Sequence, residues 1–141
     1  MKRVLIITMG IMAISLYSGY SFSQATDEVM KYCTKYISHP YISDGQQYRA
    51  LLNGDEVAEF HATFYGGSTY RIAACSGQNE ANLIFSVYDS DRHLLFTNKD
   101  YENTPYWDFK FKTTIDCIIE TQLDQKNKTS GLAIMLIGFK Q

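Results

Sequence analysis

The chain has 141 residues, of which 45% are hydrophobic and 14% aromatic, with a formal net charge of −2. That much aromatic side chain supplies the burial that ordering requires and argues against a disordered polymer. No basic cluster lies beyond the extreme N-terminus, which excludes the electrostatic footprint of a nucleic-acid partner.

The first stretch, MKRVLIITMGIMAISLYSGYSFSQA, puts Lys2 and Arg3 before an uncharged apolar run, with small residues at Ser21, Ser23 and Ala25 behind it. This is the layout of a secretory signal peptide, and the run falls short of the ~20 residues that a spanning helix needs. Cleavage after Ser23 or Ala25 fits. Residues 1–24 are therefore expected to be a leader, 25–40 a helix and 41–141 a single β-domain, with no membrane-spanning segment after cleavage. Loss of Lys2 and Arg3 leaves 11 basic against 15 acidic residues, a charge of −4. The expected destination is the periplasm or the exterior.

Thr26 to Ser38 carries helical signals. Thr26 can act as N-cap, Asp27 and Glu28 suit the positive helix end, and Val29, Cys33, Tyr36 and Ile37 form one stripe. His39-Pro40 is expected to end it. From Tyr41 the period becomes two. Gln47 to Leu52 reads as a first strand. Ala58, Phe60, Ala62 and Phe64 alternate with Glu59, His61 and Thr63 in a half-buried strand. Gly66-Gly67 supplies a tight turn, read as a hairpin into Thr69–Cys75. Leu83, Phe85 and Val87 form the next strand. Asp89-Ser90-Asp91 turns it, and Leu94 and Phe96 return. In WDFKFK, Trp107, Phe109 and Phe111 face one way, and Asp108, Lys110 and Lys112 the other. Ile115 to Leu123 continues the pattern, and GLAIMLIGF reads as a strand buried on both faces. Short strands separated by turn residues indicate an all-β sandwich or small barrel of about eight strands with a short N-terminal helix.

The order of these segments resembles the bacterial pre-peptidase C-terminal (PPC) domain. The residues that carry the likeness are LLNGDEVAEFHATFYGGSTYRIAA, NLIFSVYDSDRHLLFTN, WDFKFKTTIDCIIETQL and SGLAIMLIGFK, spanning about residues 45 to 139. The resemblance implies an exported jelly-roll-like sandwich that accompanies secreted peptidases or other exported enzymes without being catalytic itself.

The chemistry-bearing residues are sparse. His39, His61 and His93 form neither HxH nor HExxH, and no GxSxG elbow or CxxC pair occurs. Cys33, Cys75 and Cys117 are three in number, so an exported chain keeps at least one thiol free or paired between chains. They read either as small buried hydrophobes or as one disulfide plus a free thiol, with Cys75–Cys117 the candidate pair. No cofactor is expected other than a calcium ion on Asp89, Asp91 and Asp100, since oxygen ligands in turns bind calcium in extracellular modules. Aspartate is also common in turns for its own hydrogen bonding. Tyr101, Tyr106 and Tyr41 are candidate ligand-binding rings in loops, able to stack on a sugar or anchor a protein. The expected function is non-catalytic binding of a protein or glycan through the end loops Ser76–Ala81 and Asn98–Tyr106. A small secreted hydrolase and a structural envelope subunit are the alternatives.

Overall fold

A computed structural model describes residues 20–77, 82–126 and 129–140. Most of the expected leader lies outside them. Among the described residues, one helix, α1 (Tyr20–Thr34), precedes eight strands: β1 (Ile42–Asn53), β2 (Val57–Phe64), β3 (Thr69–Cys75), β4 (Leu83–Asp89), β5 (Leu94–Thr97), β6 (Tyr106–Lys110), β7 (Ile115–Leu123) and β8 (Ser130–Lys140). A 3₁₀ turn over Asn98–Tyr101 follows β5. The helix differs from its expected span at both ends. Tyr20–Ala25 contains no breaker, so the helix passes through Thr26 rather than starting there. It closes at Thr34, whose hydroxyl donates back to the Met30 carbonyl, and two turns then lead to a cis His39–Pro40 bond.

The strands form two antiparallel sheets. Sheet I has the order β1-β8-β3-β6 and sheet II the order β2-β7-β4-β5. Only β4 and β5 are joined as neighbours within a sheet. Every other connection passes from one sheet to the other, which is the winding of a jelly-roll-like sandwich. This corrects the hairpin expected at Gly66-Gly67. β2 pairs with β7 and β3 with β8 and β6, so the two glycines carry the chain across the end of the sandwich. Gly67 has φ +91°. A Cβ on Gly66 would stand 2.8 Å from the Lys112 carbonyl oxygen, so close packing against the β6–β7 connection demands glycine there.

The interior collects one face of every strand. Phe64, Ile72, Phe85, Val87, Ile119, Ala133 and Met135 are almost fully buried, and Trp107, Phe109 and Phe111 pack against them as their alternation requires. Register explains the alignment: Ile72 lies opposite Trp107 and Tyr70 opposite Phe109. The odd-numbered residues of β8 from Ala133 to Phe139 face inward. Its even-numbered residues Leu132, Ile134 and Leu136 face the other way and join a second core beneath α1. That second core is why GLAIMLIGF is apolar on both faces.

The cysteine pairing also corrects the expectation. Cys33 of α1 is bonded to Cys75 of β3 with Cα atoms 5.7 Å apart, whereas Cys117 is buried and free. Cys75 lies on the back of β3, facing the helix, while Cys117 faces the interior from sheet II, so the sheets separate the two thiols. Burial, followed by the nearby Asp116 and Asp89 charges, pushes the Cys117 thiol up to about 11.

Candidate binding cleft

One end of the sandwich gathers the start of β1 and the β2–β3 crossing, and the surface opens there into a cleft of about 550 Å³. Its shape follows from local sequence. Pairing between β1 and β8 slips between Ser43 and Gln47. Within the slip Gly45 takes φ +83°. The Gly45 N–H donates to Ser43 Oγ at 3.1 Å and the Gln46 N–H to Asp44 Oδ1 at 2.9 Å. These side-chain turns replace ladder hydrogen bonds and leave Asp44 and Gln46 at the cleft mouth. From the other side, the crossing brings Tyr65 and Ser68, with the Tyr65 N–H donating to the Tyr70 hydroxyl at 3.0 Å. Tyr48, Tyr70 and Phe139 line the cleft where it meets the core.

Aromatic walls with a few polar groups at the mouth are the ordinary composition of a ligand site. The Tyr48 hydroxyl donates to Gln46 Oε1 at 2.7 Å, and that of Thr63 to Asp116 Oδ1 at 2.6 Å. Partial desolvation raises the Asp44 carboxyl above its ordinary value, opposed by the hydrogen bond from the Gln46 N–H. Burial, with the Asp44 charge second, raises the Tyr48 phenol.

The three tyrosines singled out from the sequence are not brought together. Tyr41 is buried, and Tyr106 opens β6 rather than lying in a loop. Their rings flank the Arg71 guanidinium on the back of sheet I, at 4.2 and 4.5 Å from its central carbon, and Tyr106 stacks on Tyr36. Arg71 grips Asp108 with two hydrogen bonds of 2.6 and 2.8 Å and donates to the Tyr36 carbonyl. The group ties the segment after α1 to β3 and β6. Tyr101 alone of the three keeps an exposed ring, stacked on Phe96 and 4.4 Å from Trp107.

The acidic turn is also rearranged. Asp89 and Asp91 approach His93, with one donor atom of each lying within 4.8 Å of the others, while Asp100 stands apart in the 3₁₀ turn. Asp89 already accepts the Asp91 and His93 N–H groups, and the His93 ring lies 3.0 Å from its second oxygen. These bonds shape the turn. Of the end loops proposed for contact, residues 78–81 lie outside the described residues. The Asn98 loop is built round a buried asparagine that bonds the Phe85 N–H and the Leu83 and Thr104 carbonyls.

No family model matches the chain, and no curated protein matches it. Among solved structures the fold is similar to that of PliG from Aeromonas hydrophila, a periplasmic lysozyme inhibitor of g-type lysozyme. The TM-score is 0.53 at 10% sequence identity, over 73% of this chain and 90% of that one. The likeness establishes a shared sandwich architecture. Periodicity places the first strand at Gln47–Leu52, whereas β1 starts at Ile42, so the Asp44–Gln46 side of the cleft and the cleft itself are not legible from it. Its one signal was ISDGQQY, where an Asp-Gly pair interrupts the alternation at the start of β1.

Proposed function

We propose that the protein is an exported, non-catalytic binding module whose ligand is another protein of the periplasm or exterior, docked at the Asp44–Tyr65 end. The observation that carries this reading is the open cleft of about 550 Å³, walled by aromatic rings at the mouth of a rigid sandwich. Its described hydroxyl contacts, Tyr48 with Gln46, Thr63 with Asp116 and Tyr70 with the Tyr65 N–H, are structural hydrogen bonds and not nucleophile–base pairs. The leader-like N-terminus, the architecture shared with a periplasmic inhibitor and the PPC-like segment order support the same class of role.

The test is photo-crosslinking in the producing cell, with a photoreactive residue at Tyr65 or Ser68 and a control at Leu95 on the opposite edge. A discrete protein adduct from the first two positions and none from Leu95 is expected. g-type lysozyme is the first purified partner to titrate, with loss of its lytic activity as the readout. Adducts absent at Tyr65 and Ser68, together with undiminished lysozyme activity, would overturn the reading.

A further inference from the structure

The back of sheet I shows what this chain does with an internal cation. Arg71 is held by one carboxylate, Asp108, and by the faces of two tyrosines, Tyr41 and Tyr106. The cleft is lined by the same residue types, a carboxylate and tyrosines. Asp44 is the one carboxylate among its lining residues, with Tyr48 near it and Tyr65 on the other side, and His61 is the one lining residue that can carry a positive charge, since neither lysine nor arginine lines the space. Among the described residues, no ion pair uses Asp44.

We propose that the cleft receives a lysine or arginine side chain of the partner protein, with Asp44 pairing the charge and Tyr48 and Tyr65 enclosing the stem. This rests on the docking reading above. A basic side chain suits both parts of the site. Its methylene stem packs on aromatic surface, and its cationic head is attracted both to ring faces and to a carboxylate. The volume exceeds one side chain and leaves room for the backbone that presents it. The acidic balance of the chain, −2 overall and −4 without Lys2 and Arg3, favours encounter with a basic surface.

The probes are Nα-acetyl-arginine amide, Nα-acetyl-lysine amide and, as the uncharged control, Nα-acetyl-leucine amide. Each is titrated into the isotope-labelled protein with amide chemical shifts as readout. Saturable shifts at Asp44, Tyr48 and Tyr65 are expected from the two cationic probes alone. Asp44→Asn should weaken them roughly tenfold, the loss of one hydrogen bond to a charged group. Tyr65→Ala, at an exposed ring, should weaken them less while leaving the rest of the spectrum in place. Equal shifts from the leucine probe, equal affinity in Asp44→Asn, or shifts centred on Asp108 would each overturn the proposal. Crosslinks at Tyr65 without cation binding would remove this inference and leave the docking site standing. Cation binding with neither a protein adduct nor any loss of lysozyme activity would instead remove the docking reading.

Discussion

The two sheets share one interior, yet their backs are opposite in character. Behind sheet I, Ala73, Cys75, Ile134 and Leu136 are buried under α1, with Val29, Met30, Tyr36 and Ile37 closing over them. Gly138 lets the helical side fit closely, because a Cβ there would meet Ile37 Cγ2 at 2.8 Å. Behind sheet II stand Glu59, His61, Thr63, Asp116 and Glu120, facing solvent and paired with one another or with Arg92. The strand sequences follow the cover. β8, with layers on both sides, is apolar from Gly131 to Phe139, whereas β2, with one, alternates. The helix is thus a third layer that sheet I requires and sheet II does not.

The sharpest way to break this comparison is to cut matched side chains from the two backs. Ile134→Ala removes a side chain with no exposed surface beneath α1 and should cost about 2–5 kcal/mol in urea unfolding. Ile118→Ala, on the half-exposed back of sheet II, should cost less than half as much. Equal losses would mean that α1 does not shield sheet I in solution.

The next effect is that of the bolt. The Cys33–Cys75 bond joins residues 42 apart in sequence and fixes α1 against β3. Removing both thiols as Cys33→Ala/Cys75→Ala should lower stability by about 2–4 kcal/mol. Reduction of the unaltered protein should lower the melting temperature similarly, and Cys117→Ala should leave that sensitivity to reductant intact. A double variant that melts with the parent would show that packing alone holds the helix.

These regions also show what a linear reading reaches. Alternation reports which residues share a face, so the interior set of Trp107, Phe109, Phe85 and Ile119 was legible, as was the double burial of β8. It does not report which sheet a strand joins. Gly66-Gly67 has the same composition in a hairpin as in a crossing, and the difference lies in the distant approach of Lys112 and Thr113. The partner of Cys75 was hidden for the same reason: it depends on where a helix 42 residues away comes to rest. The cleft arises from an interruption of regular pairing between Ser43 and Gln47, and periodicity carries least information where the period fails.

The smallest expected effect separates the charges of the two backs. Arg71 lies across from Asp108 in the β3–β6 register, flanked by Tyr41 and Tyr106, and its hydrogen bonds hold the Asp108 carboxyl below the usual carboxylate range, against an opposing effect of burial. A depressed carboxylate contributes stability that is complete above its unfolded pKa and is lost as pH falls through the lower folded one. The Asp108 contribution should therefore hold from neutrality down to about pH 4–5 and disappear below, amounting to about 1 kcal/mol because the carboxylate is partly solvated. Behind sheet II, Glu59 and Glu120 face each other directly across β2 and β7, a repulsive pairing that Arg92 bridges. Hydrogen bonds from Arg92, then His61, likewise lower the Glu59 carboxyl, but in open solvent. Salt distinguishes the two, since exposed pairs are screened and sheltered ones much less so. Arg92→Ala should lower the melting temperature at low ionic strength and match the parent in 1 M salt. Arg71→Ala should remain destabilised in both. If salt erased the Arg71 deficit as well, the back of sheet I would be as open to water as that of sheet II, and the third layer would not seal it.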